Sequence, residues 1–189
     1  MYKNRSRGLG GGLGFFVGEN IHYVVRDDLC NFAPSYESLA IEIFGPNSLN
    51  LLIHLIYRPP NSDPHTFLTE FSAGLDLIKQ KTKRLKSYIM GDFNINLLNQ
   101  DVYNISNQFS NLLYSYNYIP LISSPTRVTE TTSSLIDNIF TNNICDHSSG
   151  IIDTDLSDHY PIFTSIPCQH INRAISPCIK RNNFSPQSS

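Results

Sequence analysis

Apolar and polar positions follow two different periods in the first half of the chain, and each period predicts a different element. Residues 49–57 are almost continuously apolar, which is typical of a strand buried on both faces. Pro59-Pro60-Asn61 ends that strand, because proline lacks the N–H that a strand donates. A helix is predicted next, with Ser62 or Asp63 as its cap and Pro64 as its first residue. Its apolar face is marked, at three- and four-residue spacing, by Phe67, Leu68, Phe71, Leu75 and Ile78.

Shorter apolar runs predict the remaining strands. They lie at residues 13–17, 22–25, 39–44, 88–90, 136–140 and 161–166. The first two runs are expected to form a strand pair. A second helix is marked by Phe109, Leu112, Leu113 and Tyr116. Because hairpin-like spacings mix with spacings long enough for a helix, the layout favours an α/β sandwich with two sheets and outer helices over a simple parallel sheet.

Composition and charge narrow the class of protein. The chain has 189 residues, 40% of them hydrophobic, which is enough for one domain with a core. Its formal net charge of −2, from 14 Lys and Arg against 16 Asp and Glu, argues against a dedicated high-affinity DNA-binding protein. An enzyme that places a few cations along one groove is compatible with that charge. No apolar run approaches membrane-spanning length, so we expect a soluble intracellular protein without a membrane partner.

Polar residues lie beside predicted strands at three places. Gly91-Asp92-Phe93-Asn94 directly follows one strand, Asp137 lies inside an apolar run, and Asp158-His159 precedes the last strand. Burying a charge next to a core is costly unless it is paired or bound to metal, so these groups are candidates for one site at the end of a sheet. Mg²⁺ prefers oxygen ligands, which Asp92, Asn94 and Asp158 supply. His159 is suited to act as a base, with Asp137 fixing its tautomer.

Each of these motifs has an ordinary structural alternative when it is taken alone. The Gly91–Asn94 sequence is a common turn, and Asp158-His159 is a common loop cap. Asp137 also fits a strand residue that faces solvent, and Tyr57-Arg58-Pro59-Pro60 fits a simple strand end. The residues by themselves therefore leave both a catalytic site and a set of unrelated structural features open.

Five motifs, in order along the chain, resemble one protein family. They are Ile56-Tyr57-Arg58-Pro59-Pro60-Asn61, Met90-Gly91-Asp92-Phe93-Asn94, Pro125-Thr126-Arg127, Ser134-Leu135-Ile136-Asp137-Asn138-Ile139-Phe140-Thr141 and Leu156-Ser157-Asp158-His159. The set resembles the endonuclease/exonuclease/phosphatase superfamily, and more narrowly the endonuclease domain of jockey-like non-LTR retrotransposons. The likeness runs from about Gly8 to Ile166. It implies a four-layer α/β/β/α sandwich and hydrolysis of DNA phosphodiesters with Mg²⁺, or alternatively Mn²⁺, as cofactor.

The resemblance also implies roles for individual residues. Asp92 would activate or orient the attacking water, and Asn94 would position the water and the phosphate. His159 would contact the scissile phosphate or act as the base, and Asp137 would hydrogen-bond to it. Asp158 would help to bind the metal or to orient the substrate. On this basis the expected metal ligands are Asp92, Asn94 and Asp158.

Further residues and partners follow from the same resemblance. Tyr57 matches a family tyrosine that lies near the phosphate, and Arg58 and Arg127 are expected to contact the nucleic-acid backbone. The expected partners are duplex DNA and a reverse transcriptase domain in the full-length element. DNA cleavage requires access to the nucleus, so we expect nuclear access for an active protein.

One part of the family's site has no counterpart in the sequence. The family begins with a strand that carries Asn or Asp and a second strand that ends in a metal-binding Glu, both upstream of a glycine-rich segment like residues 8–14. Glu19, Glu37 and Glu42 lie in the wrong segments to replace that Glu by motif. Since a Mg²⁺ site with fewer carboxylates holds its cation less well, we expect weak or lost catalysis.

The expected organisation is an N-terminally truncated domain over residues 1–167, followed by a polar linker or tail at residues 168–189. Two alternatives to a working endonuclease stay open on this sequence. One is a non-catalytic retroelement remnant, and the other is a phosphatase of the same superfamily.

Overall fold

A computed structural model of the protein describes residues 2–3, 12–33, 35–45, 50–82, 85–99, 104–145 and 147–166. Its helices are α1 (Pro64–Lys81) and α2 (Asn104–Ser115), with 3-10 turns at Asp27–Leu29 and Leu97–Asn99. Its strands are β1 (Tyr2–Lys3), β2 (Leu13–Gly14), β3 (Tyr23–Val25), β4 (Asn31–Ala33), β5 (Tyr36–Ile43), β6 (Leu51–Tyr57), β7 (Lys86–Asp92), β8 (Ile119–Pro120), β9 (Arg127–Val128), β10 (Ser133–Ser134), β11 (Asp137–Thr141), β12 (Ser148–Ile151) and β13 (Ile162–Ser165). The expected tail at 168–189 lies outside the described residues. In the described ranges no helix is long and apolar enough to cross a membrane.

A mixed sheet forms the centre of the fold. Its strands lie in the order β3-β5-β6-β7-β11-β8, and β4 also pairs with β5. β6 and β7 are parallel and are connected through α1, whereas the other pairings in this sheet are antiparallel. The pairs β1–β2, β9–β10 and β12–β13 accompany it as two-stranded sheets. A mixed sheet with flanking helices is the α/β class that the sequence predicts.

The helices cover one face of this sheet with aromatic contacts. The ring of Tyr36 in β5 packs edge-on against Phe67 and Phe71 of α1, at centroid distances of 5.5 and 6.0 Å. Phe109 of α2 lies 5.1 Å from Phe93, which follows β7 directly. Edge-to-face aromatic pairs add stabilisation to the apolar area that they bury. Phe93 also lies 6.4 Å from Phe71 of α1, so the end of β7, which carries Asp92, and the turn that follows it are anchored to both helices.

The structure confirms the predicted start of α1 but not the predicted pairing of the first two strands. α1 begins as predicted, since Asp63 caps it by accepting a backbone N–H at 2.7 Å and Pro64 is its first residue. The predicted pairing of residues 13–17 with residues 22–25 is wrong, because β2 pairs with β1 and β3 pairs with β5. β5 has eight residues, so its edge offers β3 a longer ladder than the two residues of β2 do.

An imidazole lies in the core beneath the helices. His54 of β6 is 3% exposed, and neither ring nitrogen has a hydrogen-bond partner among the described residues. Its neighbours on the adjoining strands are Ala40 and Ile89. Burial lowers the pKa of His54 to about 4, because an apolar core disfavours the imidazolium ion. His54 therefore stays neutral in the folded protein at pH values where the unfolded chain binds a proton.

Replacing His54 with leucine is expected to raise stability and to flatten its dependence on pH. The pKa of His54 falls from 6.5 to about 4 on folding, so the free energy of unfolding is at its full value above pH 6.5 and decreases as the pH falls toward 4. The loss is about 1.4 kcal/mol per pH unit, and the leucine variant should not show it. Urea unfolding, followed by circular dichroism at neutral pH and at about pH 5, measures the difference.

The matched control for this change is His65→Leu, because His65 is exposed on α1. That variant should keep the pH dependence of the wild type. Equal pH slopes for the wild type and for His54→Leu would contradict the burial cost assigned to His54.

Candidate active site

Strand register brings four polar residues into a row across the sheet. Glu37 of β5 pairs with Tyr57 of β6, Tyr57 pairs with Asp92 of β7, and Asp92 pairs with Asp137 of β11. Directly paired residues share a face, so this polar row lies on the face opposite the helices. Tyr57 and Asp92 also line a cavity of about 410 Å³, together with Gly12 and Leu13.

The turn after β7 holds Asp92 in a fixed geometry. Asp92 Oδ1 accepts the backbone N–H of Asn94 at 2.9 Å, and Oδ2 accepts the Asn94 side-chain amide at 3.1 Å. The same amide nitrogen donates to the carbonyl of Arg58 at 2.8 Å. Gly91 has a φ of 142° and Asn94 a φ of 48°, values that favour glycine and asparagine. The Gly-Asp-Phe-Asn motif is therefore a turn, as its composition indicates, and also one that orients a carboxylate.

Asp137 and His159 meet beside this turn. Nδ1 of His159 lies 3.0 Å from Oδ2 of Asp137, and His159 is held next to Arg127 by an antiparallel bridge. Asp92, Asp137 and His159 each offer a ligand atom, and these atoms lie within 4.8 Å of one another. All three residues are half-buried. The structure thus brings together three of the residues that the sequence places in one site.

The carboxylates of Asp92 and Asp137 repel each other when both are ionised. The pKa of Asp92 is raised, first by burial and also by the nearby carboxylate of Asp137, while hydrogen bonds from Asn94 and the nearby His159 oppose the shift. A cation or a proton bound between the carboxylates would relieve their repulsion. Within the described residues, this is the group that can hold a metal ion.

Asp158 lies apart from this group. Its Oδ2 accepts a hydrogen bond from Nε of Arg127 at 2.7 Å, and both side chains are close to half exposed. The hydrogen bond from Arg127 is the main reason that the pKa of Asp158 is lowered. Each of these side chains is engaged with the other. Metal binding by Asp158 and contact of Arg127 with the nucleic-acid backbone therefore stay predictions.

Arg58 is buried rather than presented to solvent. Only 4% of the residue is exposed, and its guanidinium donates to the carbonyls of Asn94, at 3.2 Å, and of Ser62. The guanidinium also lies 5.7 Å from the ring centroid of Phe67. Burial lowers the pKa of Arg58. A phosphate contact by Arg58 stays a prediction, and its observed contacts brace the turn that carries Asp92.

Sequence reasoning missed two residues near the site. Glu37, set aside because its segment does not match the family's metal ligand, lies at the end of the polar row and accepts the N–H of Gly12 at 3.2 Å. Thr126 stands in the Pro-Thr-Arg motif with no role that the sequence predicts, yet its hydroxyl accepts the N–H of Asp137 at 3.0 Å. Glu37 alternates in phase with Leu39 and Ile41, so the sequence of β5 predicts that all three lie on one face of the strand. No local pattern predicts the contact of Thr126.

A histidine oriented by one carboxylate, beside a second carboxylate at a strand end, suits metal-assisted hydrolysis of phosphate esters. The chain belongs to the endonuclease/exonuclease/phosphatase family, whose model matches residues 2–159. Phosphodiester hydrolysis at the level of the family is supported by this membership, and the family generally depends on a divalent metal.

Solved structures share the fold. The endonuclease domain of TRAS1, a telomere-specific non-LTR retrotransposon, superposes with a TM-score of 0.62 and 16% identity, over 80% of this chain and 71% of that one. An endonuclease/exonuclease/phosphatase from Beutenbergia cavernae DSM 12333 gives 0.52 and 14%, over 78% and 44%. TDP2 of D. rerio complexed with single strand DNA product gives 0.50 and 12%, over 76% and 66%. No curated protein sequence matches the chain.

Replacing Gly91 with alanine is expected to disrupt the turn that carries Asp92. A Cβ at this position would lie 1.9 Å from the carbonyl oxygen of Ile56, in a backbone conformation that L side chains rarely adopt. Strain and overpacking together should lower the free energy of unfolding by roughly 2–6 kcal/mol. Urea unfolding measures the loss. The control is Gly18→Ala, whose Cβ would lie 3.7 Å from Ile21, and equal stability of the two variants would refute the account.

Proposed function

We propose that this chain hydrolyses phosphodiesters of DNA with Mg²⁺ as cofactor, and that it nicks one strand of a duplex as an endonuclease. The observation that carries the proposal is the group formed by Asp92, Asp137 and His159, whose ligand atoms lie within 4.8 Å of one another. Membership of the endonuclease/exonuclease/phosphatase family supports the class of reaction.

The residues of this group divide the work of activating water. With the Nδ1–H of His159 donated to Asp137, Nε2 is left to accept a proton from water, and Asp137 stabilises the imidazolium that forms. Asp92 is fixed by its two hydrogen bonds from Asn94, so its carboxylate would orient the attacking water. General base catalysis of this kind contributes roughly 10²–10⁴-fold to a rate.

A divalent cation fits the carboxylate side of the group. Oxygens of Asp92 and Asp137 are the ligands that Mg²⁺ prefers, and Mn²⁺ accepts the same ligands as an alternative. When bound, such a cation supplies neutralisation of the charge that develops on the phosphate. His159 is engaged with Asp137, so two carboxylates would carry most of the binding. This small ligand set supports weak catalysis as part of the proposal.

DNA is proposed as the substrate on two grounds. The similar structures include the endonuclease domain of a non-LTR retrotransposon and TDP2 complexed with single strand DNA product. The cavity of about 410 Å³ that is lined by Tyr57 and Asp92 offers room for part of a substrate beside the proposed catalytic group. The same proposal includes a reverse transcriptase domain as partner and access to the nucleus. Both follow if the chain cuts DNA for a non-LTR retrotransposon, as its resemblance to their endonuclease domains implies.

Nicking of supercoiled plasmid tests the proposed function. We expect slow nicking that needs Mg²⁺ or Mn²⁺ and stops with a chelator. His159→Ala and Asp92→Asn should each reduce the rate by roughly 100-fold or more, because each removes a group that activates water. Asp153→Asn is the control, since Asp153 is an exposed acid outside the group, and it should nick like the wild type.

Three outcomes would count against the endonuclease function, and a fourth against weak catalysis alone. Nicking that survives His159→Ala would come from another source, and no nicking with either metal would favour a non-catalytic remnant. Faster hydrolysis of a soluble inositol phosphate than of plasmid would favour a phosphatase. A rate of about 1 s⁻¹ or more, ordinary for enzymes, would contradict weak catalysis while leaving the endonuclease function intact.

A further inference from the structure

Thr126 is a fully buried residue in the segment that leads into β9. It is 0% exposed, and its hydroxyl oxygen accepts the backbone N–H groups of Ile136, at 3.2 Å, and of Asp137, at 3.0 Å. One side-chain oxygen therefore satisfies two consecutive amides at the start of β11. Asp137, the first residue of that strand, carries the carboxylate that binds His159.

The hydroxyl of Thr126 takes the place of a neighbouring strand. On one side β11 pairs with β7 along its whole length, from Asp137 to Thr141. On the other side β8 pairs only with Phe140 and Thr141, so it stops short of Asp137. Buried backbone amides need a hydrogen-bond partner, and Thr126 supplies it where β8 has ended. The backbone that orients Asp137 is thus held from one side by a single side chain.

The main chain of Thr126 is bonded to the segment that carries His159. Its carbonyl accepts the N–H of Tyr160 at 2.7 Å, and its own N–H donates to the carbonyl of Ser134 at 2.9 Å. Arg127, the next residue, forms the bridge to His159. Thr126 therefore connects the two halves of the Asp137–His159 contact, one through its side chain and the other through its backbone.

We propose that Thr126 is a positioning residue, whose hydroxyl sets the geometry of the Asp137–His159 contact. Its effect on catalysis rests on the proposed hydrolase function. Valine has nearly the same shape and keeps both main-chain bonds, but it offers no acceptor to the amides of Ile136 and Asp137. Two buried amides left unpaired would turn toward other partners, which moves the backbone of Asp137 away from His159.

Three variants of the full chain test this role. Thr126→Val removes the oxygen, and Thr126→Ser restores it. Thr82→Val is the matched control, since Thr82 is also buried and its hydroxyl donates to a backbone carbonyl, at the end of α1. Each is measured for thermal stability, for plasmid nicking with Mg²⁺, for amide hydrogen exchange at residues 136 and 137, and for the ¹⁵N shifts of the His159 ring.

Thr126→Val is expected to lower kcat by roughly 10–100-fold with little change in KM, as loss of a group that orients a catalytic contact does. Its amides at 136 and 137 should exchange faster, and the His159 ring should lose the shift pattern of an Nδ1–H held by a carboxylate. Thr126→Ser should restore all three properties. Thr82→Val should change stability alone, because the bond that it removes lies at the end of a helix.

Two results would overturn the inference. One is Thr126→Val with the wild-type His159 shifts, and the other is Thr126→Ser as impaired as Thr126→Val. If the wild type nicks no DNA, the proposed function fails, and the exchange and ring-shift measurements still decide the role of Thr126. If Thr126→Val unfolds, the inference is judged on Thr126→Ser, which must match the wild type in its His159 ring shifts.

Discussion

The antiparallel pairing of β7 with β11 is the constraint on which the site depends. It sets Asp92 directly opposite Asp137, and neighbouring carboxylates repel in a half-buried place. The fold balances that repulsion with donors from Asn94 on one carboxylate and with the imidazole of His159 on the other. The backbone of β7 approaches β6 closely at Gly91, and this close packing holds the neighbouring Asp92 opposite Asp137.

Local features of the fold were readable from the sequence. The cap of α1 at Asp63 and the turn after β7 follow from residues that are adjacent in the chain, so composition and spacing predict them. The contact between Asp137 and His159 spans 22 positions, and it was expected both from the chemistry of the two side chains and from the family resemblance. The polar row requires three correct registers at once, and a slip of one residue in any strand would turn its member to the other face.

The burial of Arg58 could not be predicted from the sequence. Arg58 follows a strand in a motif that points to phosphate binding, yet packing against Phe67 and two backbone carbonyls encloses it. The false pairing of residues 13–17 with 22–25 has a related cause, because a local pattern does not show which strand edge lies closer in space. The burial of Arg58 and the pairing of β3 with β5 both depend on long-range packing, which apolar periodicity does not encode.

The ion pair of Arg127 with Asp158 affects how the affinity for DNA would depend on salt concentration. A cationic side chain that meets a DNA phosphate normally displaces condensed ions from the duplex, which makes affinity fall steeply with salt. Arg127 already has an anionic partner, and a phosphate that took that partner's place would leave Asp158 to gather cations of its own. If Arg127 contacts DNA as proposed, the net release of ions at this contact would therefore be small, and Arg127 would add less salt sensitivity than its charge suggests.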